Sequence, residues 1–298
     1  MSQRRKTCHS HGFTLIELLV VIVIMVILIS MLLPAISSMR ESARRIECQS
    51  RLSQLSLALH NYETLHQSLP AGVIDPQQRP IQNQAVGFHH GWIGSVLPFL
   101  DQQLIWRNID FKQSVYSPAN APVRKMKIRS LECPSEYKQA GATEGMSSYA
   151  GCHHDVEAPI DIDNRGVLFL NSHLQLKEVE DGVGNTIFLG EKLYEPGDLG
   201  WLSGTRATLR NTGTVPTGLP PFTGSSEPAE SETVTPSEVK PAGDPLLRVG
   251  GFASNHSGGG MNVALGDSSV RFLSSSIAPN VFHRLGGRRD GKLMSSDF

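Results

Sequence analysis

The stretch that decides the fold is GFTLIELLVVIVIMVILISMLLPA, at residues 12–35. Of the 21 residues from 13 to 33 only three are polar, and Glu17 is the single charged one. A helix of this length spans about 30 Å, which is the thickness of the hydrocarbon core of a bilayer. A lone segment in lipid must satisfy its own backbone hydrogen bonds, so its many β-branched residues do not argue for a strand. The sequence therefore predicts a transmembrane helix over residues 13–34.

The leader before this helix is basic. Residues 1–12 hold three basic side chains and no acidic one. Positive charge next to a span stays in the cytoplasm, so we expect a single pass through the cytoplasmic membrane, with the body periplasmic or extracellular. A secretory signal peptide is the alternative. It is disfavoured because no convincing cleavage site follows Leu33, and because a carboxylate inside an apolar segment is expensive and usually functional.

The motif Gly-Phe-Thr-Leu-Ile-Glu-Leu, which begins at Gly12, resembles the type IV prepilin signature. The resemblance implies that a prepilin peptidase cuts after Gly12 and that the new terminal residue, Phe13, is N-methylated. Glu17 matches the acidic residue at the fifth mature position. Because a buried carboxylate needs a cationic partner, a neighbouring subunit's N-terminal amine would neutralise it and set the subunit stagger. Pro34 matches the helix-kinking proline of pilin stems. An uncleaved signal anchor is the alternative.

An amphipathic stem helix is predicted over residues 35–69, where no Gly or Pro interrupts the chain between the two ends. One apolar stripe on a polar helix needs a partner surface. We expect the stem to pack on the protein's own sheet, and a separate coiled coil is the alternative. The stripe recurs at spacings of 4, 3, 4 and 3 residues: Cys48, Leu52, Leu55, Leu59 and Tyr62.

The remaining residues, 70–298, predict an extracytoplasmic β-rich body, so the fold class is α+β: a long N-terminal helix packed on a mainly antiparallel sheet. Alternating apolar residues between turn signals predict strands and a hairpin. A window rich in Pro, Ser and Thr, at residues 211–245, predicts an exposed loop. Residues 127–136 predict a strand that enters a turn at Cys133-Pro134, and residues 147–172 predict a strand, a long polar loop and a second strand at 166–170. A further strand is predicted at 186–190 and a hairpin at 260–276.

Several body segments resemble a large planctomycete family of uncharacterised exported proteins with a prepilin-type N-terminus. These segments are CQSRLSQLSLALHNYETLHQSLPAG, LECPSE, DGVGNTIFLGEK and HSGGGMNVALGDSSVRFL. His256 and Asp267 correspond to that family's C-terminal His-x9-Asp-Gly motif, but ten residues separate them here and Ser268 replaces the glycine. Serine suits a left-handed turn position less well than glycine. The resemblance implies an exported, pilin-like protein and carries no biochemical activity to transfer.

Three cysteines remain if the leader is removed. Cys133 and Cys152 both fall in the exported body, where disulfides persist, and we predict a disulfide between them. Two separate buried thiols are the alternative. Cys48 is then the odd cysteine, expected to be reduced and packed under the sheet.

The loop that follows Cys152 is a weak candidate for a metal site. Histidines suit zinc and carboxylates suit calcium, but adjacent histidines in a strand point to opposite faces, which weakens a shared zinc site. We predict a solvated acidic loop and no cofactor, and structural calcium, by resemblance to some secretion-system pseudopilins, is the alternative. His256, before three glycines, is either a catalytic or metal residue or part of a structural turn. The calcium candidates are Asp155, Asp161 and Asp163.

The net charge of −1 argues against a nucleic-acid binder, and the absence of a Gly-x-Ser-x-Gly motif argues against a common class of hydrolase. We therefore predict a structural protein and not an enzyme, which assembles through its apolar helix in a type II secretion or type IV pilus-like system. Its expected partners are the prepilin peptidase, other pilin-like subunits and the cytoplasmic membrane. A monomeric membrane-tethered binding module is the alternative, and a tethered hydrolase is a third.

Overall fold

The computed structural model describes residues 15–136, 143–216 and 244–291. The chain divides into two compact units, the first ending at Ala43 and the second beginning at Arg44. The predicted processing residues Gly12 and Phe13, and most of the predicted loop at 211–245, lie outside the described residues.

Helices in the described residues are one long helix and several short ones. The α-helices are α1 (Leu15–His66), α2 (Trp92–Val96), α3 (Gln103–Arg107), α4 (Ala121–Arg124) and α5 (Pro279–Gly286). Short 3-10 turns lie at Leu97–Leu100, Arg129–Leu131, Leu176–Glu178, Val183–Asn185 and Pro245–Leu247.

Strands in the described residues form a small two-stranded sheet and a larger five-stranded one. The strands are β1 (Val73–Ile74), β2 (His90–Gly91), β3 (Tyr149–His154), β4 (Ile187–Glu191), β5 (Leu209–Asn211), β6 (Gly260–Leu265) and β7 (Val270–Ser274). The five-stranded sheet has the order β5-β3-β4-β6-β7. Only the β3–β5 pair within it is parallel, so the predicted mainly antiparallel sheet is confirmed.

Each face of the five-stranded sheet packs on a helix. Side chains alternate between the faces of a strand, and in β6 Ala264 joins a core with Leu55 of α1, while Val263 joins a second core with Phe282 of α5. The predicted stripe on the stem is confirmed, because Cys48, Leu52, Leu55 and Leu59 are fully buried in the second unit. The sheet therefore lies between the C-terminal half of α1 and α5.

Two of the predicted strands are wrong. Residues 166–170 are buried but do not form a strand; the backbone N–H groups of Val167 and Leu168 both donate to the carbonyl of Cys152, so the chain folds against the end of β3. The strand predicted before Cys133 is instead the 3-10 turn Arg129–Leu131, whereas the turn predicted at Pro134 is present. Short apolar runs signal burial without fixing the backbone conformation. The hairpin is confirmed as β6–β7, and the strand predicted at 186–190 is found as β4.

Candidate functional site

The N-terminal half of α1 presents apolar side chains on every side. Each of its large apolar side chains from Leu15 to Leu33 is at least 48% exposed. A helix that is apolar all round is either buried in a protein core or surrounded by lipid. The most apolar part of this half has no buried residue, and α1 is long and apolar enough to cross a membrane.

Two polar groups in this half lie where the helix itself partly compensates them. Glu17 lies in the first turn of α1, where the positive end of the helix dipole favours a carboxylate. The Ser30 hydroxyl donates to the carbonyl of Ile27 at 2.8 Å, so it needs no water. Residue 34 lies within α1, so the helix does not end there. A kink of the helix at Pro34 stays a prediction.

In the second unit, a disulfide joins α1 to the segment that follows the 3-10 turn Arg129–Leu131. It links Cys48 to Cys133, whose Cα atoms are 5.7 Å apart. The predicted pairing of Cys133 with Cys152 is therefore wrong, and so is the expectation that Cys48 is reduced.

The sheet itself separates Cys133 from Cys152. Cys133 packs against the core on the α1 side, whereas Cys152 belongs to the core on the α5 side. The Cys152 thiol is free and buried, and its Sγ lies 3.5 Å from the carbonyl oxygen of Gly286 in α5. Burial raises the pKa of the Cys152 thiol, which keeps it protonated and unreactive.

A buried polar cluster lies beside the disulfide. Nε2 of His256 is 3.1 Å from Oε1 of Glu191 and 3.7 Å from Sγ of Cys133. Asn262 donates to both oxygens of Glu191, through its backbone N–H at 2.7 Å and its side-chain amide at 3.0 Å. Gln49 of α1 donates in turn to the Asn262 side-chain oxygen at 3.0 Å. Helix, sheet and two loops thus meet at one point, which we call the junction cluster: Cys48, Cys133, Glu191 and His256.

His256 and Asp267, the two motif residues, lie at opposite ends of β6. His256 is buried in the junction cluster, whereas Asp267 is exposed and accepts hydrogen bonds from the backbone N–H and hydroxyl of Ser269. A six-residue strand spans about 20 Å. The two motif residues therefore do not form one site, and Asp267 shapes the β6–β7 turn.

Ser268 keeps the left-handed conformation in spite of its side chain. Its φ is +66°, where glycine carries no penalty. The hydroxyl of Ser56 on α1 donates to the Ser268 hydroxyl at 3.1 Å. The serine thus gives the hairpin turn a contact with the stem that glycine lacks.

Asp155, Asp161 and Asp163, the calcium candidates, do not converge. Asp155 pairs with Arg165 at 2.9 Å and with His154 at 2.6 Å. Burial opposes ionisation of Asp155, but His154 and Arg165 outweigh it, so its pKa is lowered. A side-chain oxygen of Asp161 accepts the backbone N–H of Ile162. Among the described residues, the metal-type ligands that converge are those of the junction cluster.

Sequence reasoning missed a polar relay that connects distant segments. Oδ2 of Asp75 lies 3.4 Å from Nε2 of His89, and Nδ1 of His89 is 3.0 Å from the Tyr116 hydroxyl, which is 2.8 Å from the Ser203 hydroxyl. Burial raises the pKa of Tyr116 and lowers that of His89. Because Ser203 is fully buried, its hydroxyl is inaccessible to a substrate. The relay therefore stabilises the fold by linking distant segments through hydrogen bonds.

Comparison with known proteins finds similarity over both the helix and the body. A family described as "Protein of unknown function (DUF1559)" matches residues 37–280, and a "Prokaryotic N-terminal methylation motif" matches residues 8–33. The chain is also similar to "Competence protein ComGC" of Halalkalibacterium halodurans, with 34% identity over 65 residues. That match covers 22% of this chain and 64% of the length of the curated relative. No solved structure matches.

Proposed function

Because the chain belongs to the DUF1559 family of proteins of unknown function and carries the prokaryotic N-terminal methylation motif, we propose that it is a structural subunit of a pilin-like assembly. The prepilin-like N-terminus and the apolar helix make it a membrane-anchored exported protein. The assembly we propose is a type II secretion or type IV pilus-like system. It includes other pilin-like subunits.

Processing is the first step of this proposal. A prepilin peptidase removes residues 1–12 by cutting after Gly12, and Phe13 is then N-methylated. The basic leader stays in the cytoplasm, residues 13–34 cross the cytoplasmic membrane, residues 35–69 form the stem, and residues 70–298 lie outside. Removal of the leader leaves a mildly acidic exported chain, because the charged side chains of the leader are all basic.

One observation carries the proposal: residues 15–33 of α1 are apolar on every side and bear one carboxylate, Glu17, in the first turn. Lipid matches the apolar surface but not the charge of Glu17, since a charged side chain in a span costs about 3 kcal/mol or more. The methylated amine of a neighbouring Phe13 supplies the opposite charge. Lateral packing of these helices therefore pairs the N-terminal amine of one subunit with Glu17 of its neighbour. This pairing fixes the stagger between the two subunits.

Replacing Glu17 tests this assembly step. We expect Glu17→Val to insert into the membrane and to be processed, but to lose at least about 10-fold in subunit–subunit crosslinking through the helix, equivalent to about 1.4 kcal/mol of contact free energy. The measurement is crosslinking in native membranes, with processing followed on the same samples. Glu63→Val, on the stem of the same helix, is the matched control and should assemble normally. Undiminished crosslinking by Glu17→Val would contradict the proposal.

A monomeric tethered binding module is the second candidate. One observation favours it: a cavity of about 380 Å³ on the body, lined in part by Asp75, Arg79 and His89. Under this alternative the helix only anchors the chain. Crosslinking in native membranes then finds the wild-type chain as a monomer, and Glu17→Val changes nothing.

A further inference from the structure

The junction cluster holds ligand types that zinc prefers, and three of its four side chains are fully or nearly fully buried. Cys48, Glu191 and His256 are at most 4% exposed, and Cys133 is half-buried. The potential ligand atoms of the four lie within 4.8 Å of one another. They come from α1, the turn after residue 131, the end of β4 and the loop before β6. Four separate segments thus deliver two sulfurs, a ring nitrogen and a carboxylate to one place.

The geometry at His256 distinguishes a ligand cluster from a catalytic triad. In a triad, the nucleophile and the carboxylate use opposite ring nitrogens of the histidine. Here the same nitrogen, Nε2, faces both Sγ of Cys133 and Oε1 of Glu191. Atoms that converge on one point, instead of forming a relay, are arranged like the ligands of a single ion.

Further residues support this arrangement. Asn262 holds both oxygens of Glu191, and Gln49 holds the side chain of Asn262. Such outer hydrogen bonds orient metal ligands and fix their geometry. The backbone N–H of Cys133 also donates to the Ser148 hydroxyl at 2.7 Å, which fixes the residue that supplies the second sulfur.

We propose that the reduced chain binds one Zn²⁺ at the junction cluster, through the thiolates of Cys48 and Cys133, Nε2 of His256 and a carboxylate oxygen of Glu191. Two thiolates, an imidazole and a carboxylate complete the four-coordinate shell that structural zinc favours. Calcium prefers six to eight oxygen ligands and does not suit this set. The Cys48–Cys133 disulfide is the metal-free, oxidised form of the same site.

The two forms are related by a balanced exchange. Zinc binding to the dithiol forms two Zn–S bonds and releases two thiol protons, and His256 binds as the neutral ring with its proton on Nδ1. Oxidation of the dithiol forms one S–S bond and passes two electrons and two protons to a disulfide oxidant. The reverse step needs a dithiol reductant, which attacks through a mixed disulfide and is itself oxidised to a disulfide. Of the two cysteines, Cys133 is the less buried residue.

Metal analysis of the full-length chain in detergent micelles tests the proposal. The oxidised chain and the phosphine-reduced chain are each incubated with Zn²⁺ and desalted, and zinc per chain is measured by mass spectrometry. We expect about one zinc per chain in the reduced sample and none in the oxidised sample. Co²⁺ in place of zinc should give thiolate-to-cobalt charge-transfer absorption. No zinc in the reduced chain, or equal zinc in the oxidised chain, would overturn the proposal.

Matched variants locate the ion. Cys48→Ser should weaken zinc binding by more than the roughly 10–100-fold that loss of an outer hydrogen bond costs, whereas Cys152→Ser should bind as the wild type does. His256→Gln keeps both cysteines and the ability to form the disulfide, so failure of its reduced form to bind zinc points to the missing imidazole, and reoxidation to the disulfide checks that the variant still folds. Equal losses in Cys48→Ser and Cys152→Ser would contradict the site.

Zinc should also stabilise the reduced chain. Because the ion binds only the folded site, the unfolding midpoint of the reduced wild type should rise with zinc concentration, and that of reduced His256→Gln should not. A reduced wild-type chain that zinc neither refolds nor stabilises would also overturn the proposal.

Discussion

The two halves of α1 present apolar side chains in opposite ways. From Leu15 to Leu33 they cover every side of the helix and are at least 48% exposed, whereas Leu52, Leu55 and Leu59 form one stripe that is fully buried under the sheet. The first pattern matches lipid or a neighbouring helix, and the second matches a protein core. The two halves of one helix are therefore suited to different surroundings. The distribution of apolar residues around the helix distinguishes the half that suits lipid from the half that packs in a protein core.

The largest expected effect is on the stem half, through its disulfide. The Cys48–Cys133 bond closes a loop of 85 residues, so Cys48→Ala should destabilise the body by about 4 kcal/mol through the entropy of the unfolded chain. Denaturant unfolding of the full chain without metal, followed by fluorescence of the buried Trp92 and Trp201, measures it. Cys133→Ala should cost as much, and the double variant little more. Costs that simply add would show that the two cysteines act separately.

The next largest effect is the difference in stability between substitutions in the buried stripe and substitutions elsewhere on the stem. Leu55→Ala should cost about 3 kcal/mol of unfolding free energy, because it opens a cavity between α1 and the sheet. Leu57, two residues further on, is 57% exposed, so Leu57→Ala should change stability by less than about 0.5 kcal/mol. The same fluorescence assay compares them. Similar costs for the two variants would contradict the packing of one face of the stem on the body.

The third prediction concerns pH and the body alone. Burial raises the pKa of Glu136 to about 7, against the attraction of Lys192 and the backbone N–H of Tyr194. The folded state therefore holds a proton that the unfolded state has already lost. The contribution of Glu136 to wild-type stability should fall by about 3 kcal/mol as the pH rises from 4.5 through 7, and then level off.

Glu136→Gln removes this ionisation and isolates its contribution. The variant should show a flatter stability profile over the same pH range and should exceed the wild type above pH 7. Unfolding curves at several pH values give both profiles. Glu132→Gln, on the same segment, serves as the control and should follow the wild-type profile. A pH dependence unchanged in Glu136→Gln would assign the effect to another group.

Much of the fold follows from local patterns. The exposed half of α1, the buried stripe and the β6–β7 hairpin each leave a periodic signal over several residues, and each is found. The strand predicted at 166–170 has the same apolar composition as a true strand, yet its N–H groups bond to the end of β3. Composition reports burial, whereas hydrogen-bond partners are set by distant segments.

The site was less predictable for the same reason. The stripe already placed Cys48 beneath the sheet, but no local signal showed that Cys133 lies opposite it and that Cys152 lies behind the sheet. Glu191 carried a weak signal, a charged residue ending an apolar strand, which is a position that needs a partner when buried. The pairing of His256 with Glu191, in place of the motif residue Asp267, depends on the β4–β6 register.

The central claim is that the exposed half of α1 is a processed prepilin-type anchor. Mass spectrometry of the mature N-terminus in the native membrane tests it most directly. We expect a chain that begins at Phe13 with its amine methylated, and a matched Gly12→Leu variant that keeps its leader. An intact Met1 in the wild type, or cleavage beyond Leu33, would contradict the account.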